Sequence, residues 1–295
     1  MNIEKHINHI PPQRIVLSGG GIRGVAYIGV FMELDKRGFL KNIKEVLGVS
    51  CGAMFGFAHI LGYTPIEMFS LGSSLDFSLL QNIDPDVALN YFITYGVDDG
   101  ANLEKFLESL VKNKGFSKSI TFQELYDKTS IYFRCYAVEL NSSSLMEFSY
   151  KTTPNYKVLF ALRASMCIPG YFTPISDDSK MYVDGGILNN YPVDLLTLEE
   201  QEHTIGVTFN DFHTIREKIE SLEEFVYQII SCSYAINKKK SIFFEIVIPC
   251  GHFPVWKFDA SYEERIYLMD CGSNAVVDFF AARKNKIPLR RYSVS

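Results

Sequence analysis

The sequence is poor in cysteine and in unbalanced charge, and each shortage excludes a class of protein. Its 295 residues include six cysteines. No two of them form a Cys-x-x-Cys pair, which argues against a structural zinc site or a disulfide framework and favours a reducing compartment. The 29 basic and 34 acidic residues leave a net charge of −5. This balance disfavours a nucleic-acid binder, because such proteins need a cationic surface.

Long apolar runs are also scarce. The N-terminus lacks the apolar core of a signal peptide. Residues 46–66 carry no charge and resemble a membrane span, with Gly48, Gly52 and Gly56 at the spacing of a helix-dimerisation face. Pro65 and several polar residues interrupt this run. A buried strand followed by a buried helix explains the same composition, and we favour that interpretation over a transmembrane segment.

Strand and helix patterns alternate along the chain. The first 60 residues follow the order strand, helix, strand, helix, which indicates a doubly wound sheet of parallel strands. A hydrophobic fraction of 47% supplies a large core, and we find no internal repeat and no linker, so we expect one domain after a lead-in at residues 1–13. The predicted strands are 14–18, 45–49, 131–140, 145–149, 181–183, 204–209 and 242–248, and the predicted helices are 25–36, 51–61, 102–112, 156–165, 222–230 and 262–283.

A glycine-rich segment, Gly19-Gly-Gly-Ile-Arg-Gly24, joins the first predicted strand to the first helix. Its GxGxxG spacing is typical of a dinucleotide-binding loop. Glycines let the backbone turn sharply, and free N–H groups at a helix N-terminus point toward an anion. That anion could be a pyrophosphate or the oxyanion of an acyl-transfer transition state. A tight turn without a ligand would have the same pattern.

A second segment, Gly48-Val-Ser-Cys-Gly52, has the GxSxG pattern of a nucleophile elbow. The elbow needs a small residue on each side because its serine occupies a strained turn between a strand and a helix. An apolar strand precedes this segment and an apolar helix follows it. Ser50 is therefore expected at a helix N-terminus, where an alkoxide is electrostatically stabilised.

A third segment, Asp184-Gly185-Gly186, follows a predicted strand directly. By itself it is a common turn sequence. Together with the other two segments it supplies a carboxylate that could accept the serine proton. An aspartate with the reference pKa of about 3.9 is a weak base, so burial near the nucleophile would have to raise that pKa.

These three ordered motifs resemble those of the patatin-like phospholipases, and residues 164–174 are similar to the stretch that precedes that family's aspartate motif. The resemblance covers about residues 14–195. It implies a three-layer α/β/α fold with a mainly parallel central sheet. Residues 14–197 would form the patatin-like domain, and residues 198–295 would add the strands and helices that complete it.

The resemblance also implies a Ser–Asp dyad that hydrolyses lipid acyl esters without a catalytic histidine, a metal or another cofactor. Ser50 would be the nucleophile and Asp184 the proton acceptor. The amides of Gly20 and Gly21 would stabilise the oxyanion, and Arg23 occupies the basic position of its motif. The glycines expected to support the motifs are Gly19, Gly24, Gly48, Gly52, Gly185 and Gly186.

Three alternatives compete with this interpretation. A dinucleotide site needs an acidic residue at the end of the second strand, but Glu45 lies at the start of that strand. A Ser-His-Asp triad could recruit His203, His213 or His252, although none lies in a recognisable motif. A non-catalytic lipid-binding homologue could keep the fold.

We therefore expect a phospholipase A-type serine esterase that forms an acyl-enzyme. Its partners would be the lipid substrate and, transiently, a membrane or lipid-droplet surface, with no role for nucleic acid. We expect a cytoplasmic protein that associates with membranes peripherally.

Overall fold

The computed structural model describes residues 11–83, 85–210, 244–251 and 253–284, together with isolated positions between 218 and 242. Within these residues, eight strands pair into one mixed sheet. They are β1 Arg14–Leu17, β2 Glu45–Val49, β3 Tyr132–Glu139, β4 Ser144–Phe148, β5 Ile175–Asp177, β6 Lys180–Asp184, β7 Thr204–Phe209 and β8 Glu245–Ile248.

The strand order is β5-β6-β3-β2-β1-β7-β8, with β4 pairing to β3 beside this path. The run from β3 to β8 is parallel, whereas β4, β5 and β6 pair in antiparallel fashion. Parallel strands bring their carboxyl ends to one edge of a sheet, where α/β proteins bind their ligands. The segments that follow β1 and β2 therefore lie side by side.

Helices cover the sheet. They are α1 Ala26–Lys36, α2 Cys51–Ile60, α3 Pro65–Ser74, α4 Pro85–Leu89, α5 Tyr91–Thr94, α6 Ala101–Asn113, α7 Phe122–Thr129, α8 Val158–Ser165, α9 Gly186–Asn189, α10 Leu198–Glu202 and α11 Tyr262–Lys284, with 3-10 helices at Gly21–Val25, Leu40–Asn42, Phe77–Leu80 and Pro192–Leu195. The predicted strands and helices that fall on described residues are confirmed, with their ends shifted by up to three residues. The predicted helix at 222–230 lies outside the continuously described residues.

The central strands are buried on both faces. Along β1, Ile15 and Leu17 pack into the larger of two hydrophobic cores, while Val16 packs into the smaller one with Leu47. This alternation follows from the period of two in a strand, which sends successive side chains to opposite faces. Burial on both faces explains why these strands are almost continuously apolar in sequence.

The uncharged run is buried from Val46 to Leu61, apart from the half-buried His59, whereas Gly62, Thr64 and Ile66 near its end are exposed. It contains most of β2, the turn at Ser50, and α2, which is ten residues long. Such a helix spans about 15 Å, half of the roughly 30 Å hydrocarbon layer of a bilayer. Nowhere in the described part of the chain does a helix reach the length and apolar character that crossing a membrane requires.

Candidate active site

Ser50 occupies a strained turn between β2 and α2. Its backbone angles, a φ of 54° and a ψ of −128°, lie in a region that residues other than glycine rarely adopt. The Ser50 N–H donates a hydrogen bond of 2.8 Å to the Oγ of Ser165, which is fully buried. The side chain lies at the N-terminus of α2, where the helix dipole favours negative charge. The local geometry is that of a nucleophile elbow.

The two glycines of this elbow have steric roles. A Cβ on Gly48 would lie 2.4 Å from the Cα of Ala53, and a Cβ on Gly52 would lie 2.4 Å from the carbonyl oxygen of Leu17. Both distances are far inside van der Waals contact with backbone that cannot move aside. The strand and helix can therefore approach each other closely only with glycine at both positions.

Asp184 ends β6 beside the elbow, because Val49 and Asp184 pair with consecutive residues of β3, Tyr136 and Ala137. Its N–H donates to the carbonyl of Cys167 over 2.7 Å, and its Oδ1 accepts from the Gly186 N–H over 2.8 Å. These two bonds hold the carboxyl group in place. The structure thus brings Ser50 and Asp184 together.

The Asp184 carboxyl group has an altered acidity. Burial raises its pKa from 3.8 to about 6, because desolvation disfavours the charged form. Hydrogen bonds from the Ser50 side chain and from the Gly186 amide act in the opposite direction, but they do not cancel the effect of burial. A carboxylate with this pKa is a stronger base than an exposed aspartate and is still mostly ionised at neutral pH.

The glycine-rich loop lies directly above this pair and is anchored on both sides. The Gly19 N–H donates to the carbonyl of Asn190, and the Asn190 side-chain amide donates back to the Gly19 carbonyl, both over 3.1 Å. The Ile22 N–H donates to the Val255 carbonyl over 3.0 Å. Gly21 has a φ of 57° and a Cβ there would lie 2.2 Å from the Val255 oxygen, so glycine is required.

The hydrogen bonds formed by this loop leave the Gly21 N–H available, whereas the Gly20 N–H also faces the sulfur of Cys51. Within the described residues, neither Gly20 nor Gly21 donates its N–H to a backbone carbonyl. Arg23 supports the loop from behind, with its Nε donating to the Gly20 carbonyl over 3.5 Å and its guanidinium 5.1 Å from the ring centre of Phe209. Fixed N–H groups of this kind can stabilise an oxyanion.

These groups line one cleft, which we call the first cavity, of about 500 Å³ and open to solvent. Gly24 and Gly185 instead pack against Cys51 and the Tyr136 carbonyl. The residues that line the first cavity are Gly19, Gly20, Gly21, Arg23, Ser50, Ile168, Asp184, Ile187, Asn190, Val255 and Trp256.

An apolar pocket, the second cavity, opens beside it. Its volume is about 570 Å³, and it shares Gly21, Ser50 and Ile168 with the first cavity. Its other lining residues are almost all apolar, among them Val25, Met54, Phe55, Phe77, Leu80, Met166, Phe172 and Phe258. The Ser50 hydroxyl therefore lies where a polar cleft meets an apolar pocket, an arrangement that suits a substrate with one polar and one hydrocarbon part.

The thiol next to Ser50 does not compete with it. Cys51 is buried, and desolvation together with the charge of Asp184 raises its pKa to about 12. Because the thiolate is the reactive form of cysteine, this side chain is inert at neutral pH.

The structure also bears on the alternatives. His203 comes directly before Thr204, which pairs with Arg14 at the amino ends of the strands, whereas Ser50 follows the carboxyl end of β2. The length of β1, about 13 Å, separates those two edges. Glu45 lies at the same distant edge, where its carboxylate forms ion pairs with Arg14 and Arg134. His213 and His252 lie outside the described residues.

Sequence reasoning missed several residues of this site. Ser165 and Ile168 fall in the 164–174 stretch, where the family resemblance was the available signal. No sequence pattern marked Asn190, because its role depends on two hydrogen bonds with Gly19, which is distant in the sequence. Trp256 lines the first cavity, with its ring centre 5.5 Å from that of Tyr171.

A serine on a strained elbow, a buried carboxylate with a raised pKa and glycine amides beside them are features that the class of serine hydrolases shares. Comparison with known proteins narrows this class. A family model for patatin-like phospholipases matches residues 15–197. The chain belongs to the patatin-like phospholipase family.

Individual relatives agree with this assignment. A protein of Invertebrate iridescent virus 6 named "Probable lipid hydrolase 463L" is 34% identical over 181 residues, which are 61% of this chain and 62% of that protein. A lysophospholipase of Candida albicans, NTE1, is 28% identical over 65% of this chain and 13% of its own length. The crystal structure of VipD from Legionella pneumophila has a TM-score of 0.60 at 18% identity, covers 92% of this chain and 67% of that one, and shows the same fold. Family membership and these relatives support lipid hydrolysis in general.

Proposed function

We propose that this protein is a lipid acyl hydrolase that cleaves fatty-acyl ester bonds through Ser50 and Asp184. The observation that carries the proposal is the pairing of a strained serine with a buried carboxylate whose pKa is raised to about 6. Such a carboxylate can accept a proton from the serine hydroxyl near neutral pH. The apolar second cavity beside Ser50 supports a substrate with a fatty-acyl chain.

The proposed reaction has two halves. Asp184 takes the proton from the Ser50 hydroxyl as the oxygen attacks the ester carbonyl, and the Gly20 and Gly21 amides bind the oxyanion that forms. The tetrahedral intermediate expels the alcohol, which takes the proton from Asp184. A water molecule then gives a proton to Asp184 and attacks the acyl-enzyme. Collapse of the second intermediate releases the fatty acid and returns the proton to Ser50.

Hydrolysis is expected to depend on pH through Asp184. Because the base must be ionised, kcat/KM for phospholipid and triacylglycerol substrates should fall about tenfold for each pH unit below about 6 and level off above it. The measurement is a pH profile on a panel of both lipid classes, with a fluorophosphonate probe to label Ser50. A profile flat between pH 4 and 7 would argue against Asp184 as base. Absence of both turnover and labelling would favour the lipid-binding homologue.

We also propose where the protein meets a lipid surface. Helices α4 and α5 and the residues that flank them expose large apolar side chains, with Leu89 81% and Phe92 88% exposed. This exposed cluster, which we call the apolar rim, includes Leu79, and Phe77 and Leu80 of the same 3-10 helix line the second cavity. Exposed apolar patches of this kind mark interaction sites. The rim consists of Leu79, Ile83, Leu89, Phe92, Ile93 and Tyr95.

Replacing both Leu89 and Phe92 with serine should lower partitioning onto phosphatidylcholine vesicles by at least roughly tenfold, because burial of each such side chain contributes about 1.5–3 kcal/mol. Co-sedimentation with vesicles measures this. The matched control is Leu198→Ser, which removes an equally exposed side chain from α10, near the opposite edge of the sheet. Equal partitioning of the double variant and the control would refute the proposed rim.

A further inference from the structure

A third cavity lies beyond the second one and shares a wall with it. Its volume is about 420 Å³, and it lies among α2, α3 and α6. Met54, Phe55 and Phe77 line both cavities and form the partition between them. Ala58 and Leu75 are among the other apolar residues that line the third cavity. Both volumes fall within the range of small-molecule sites, roughly 300–1,000 Å³.

Helix α2 runs along all three cavities. Ser50, Met54 and Ala58 recur at every fourth position, so they lie on one face of the helix. The rise from Ser50 to Ala58 is about 12 Å. This face leads from the Ser50 hydroxyl, past the partition, to the wall of the third cavity.

The third cavity offers no charged group to a ligand. Tyr63 is the side chain with a hydroxyl among its lining residues, and that hydroxyl already donates to the Leu110 carbonyl over 3.0 Å. Cavities without available polar groups hold water poorly and accept apolar ligands. Met54 in the partition is unbranched and has three rotatable side-chain bonds, so it can change shape more readily than the two phenylalanines.

We infer that the second and third cavities form one acyl channel and that the partition sorts acyl chains by length. This inference rests on the proposed function. A short chain attached at Ser50 ends in the second cavity. A long chain displaces Met54 and extends into the third cavity, where the apolar surface it buries adds to transition-state binding. The protein is then selective for long-chain esters.

Filling the third cavity should shorten the preferred chain. Ala58→Leu adds three carbon atoms to its wall. We expect the ratio of kcat/KM for a palmitoyl ester to that for a butyryl ester to fall roughly tenfold. Discrimination of this size is what a few methylene groups produce in an apolar pocket. Leu75→Phe fills the same cavity from the residue that directly follows α3, and it serves if Ala58→Leu folds poorly, as judged by thermal unfolding. The control is Ala282→Leu, at an exposed position of α11, which should leave the ratio unchanged.

A binding measurement separates failure of this inference from failure of the proposed function. In the Ser50→Ala background, calorimetry should show that Ala58→Leu weakens palmitate binding more than octanoate binding. If Ala58→Leu weakens palmitate binding but the wild type does not turn over esters, the proposed hydrolase activity is contradicted and the acyl channel is supported. If both filled variants turn over esters with an unchanged palmitoyl-to-butyryl ratio of kcat/KM, the acyl channel is contradicted and the proposed hydrolase activity is supported.

Discussion

Ser50→Ala is expected to lower kcat/KM for fatty-acyl esters by roughly 10⁴-fold or more, the scale on which removal of a nucleophile acts in serine hydrolases. The fold should persist. The Ser50 N–H that bonds to Ser165 belongs to the backbone and is kept in the variant. The lost hydroxyl bonds to the Asp184 carboxyl group, which keeps its bond from the Gly186 N–H. We expect the free energy of unfolding to change by about 1 kcal/mol or less.

The matched control is Ser109→Ala, which removes a hydroxyl from an exposed position of α6. Its activity should equal that of the wild type. Initial rates on a phospholipid and on a soluble ester, with thermal unfolding of all three proteins, complete the comparison. If Ser50→Ala turned over substrate at the wild-type rate, covalent catalysis by this serine would be ruled out.

Asp184→Asn is expected to lower kcat/KM by about 10²–10⁴-fold, the usual contribution of a general base. An amide has nearly the same shape but cannot accept the serine proton, while its oxygen can still accept from the Gly186 N–H. The remaining activity should lose the dependence on pH near 6, because the group that titrates there has been removed.

The same variant should be at least as stable as the wild type at neutral pH. The folded-state pKa of Asp184 is raised from 3.8 to about 6, so the folded protein binds the proton more tightly than the unfolded chain. Its contribution to stability therefore falls as pH rises through this window, and the ionised carboxylate destabilises the fold above it. Asparagine removes that cost. Asp194→Asn, on an exposed side chain that accepts from Asn189, is the control. An Asp184→Asn enzyme of undiminished rate would point to a histidine base.

The secondary structure near the site was accessible from local sequence. Strand β2 and helix α2 are apolar apart from Glu45 and His59. A GxSxG motif spans the turn between them, so their order and this turn follow from short-range preferences and from the steric need for Gly48 and Gly52. The turn of the glycine-rich loop also follows from local sequence, because Gly21 adopts a positive φ that glycine tolerates best. Such signals lie within a few residues of the feature they predict.

The antiparallel pairing of β6 with β3 was harder to anticipate. Strand β6 is a short segment whose partner depends on the long-range pairing of Asp184 with Ala137. No local pattern specifies that pairing, because the strand period gives the face of a side chain and not its neighbour. The supports of the site are also non-local: Ser165 binds the Ser50 amide, and Asn190 binds Gly19.

The chain by itself was sufficient to indicate the nucleophile, its candidate base and the glycine loop, because each is written in a short motif with its own steric reason. It left the meaning of the uncharged run at 46–66 open between a membrane span and a buried strand and helix, since both have the same composition. Tertiary packing resolved that question by enclosing α2 between the sheet and its neighbouring helices. Packing also sets the acidity of Asp184, because a pKa shift arises from burial, and burial is a property of the whole fold.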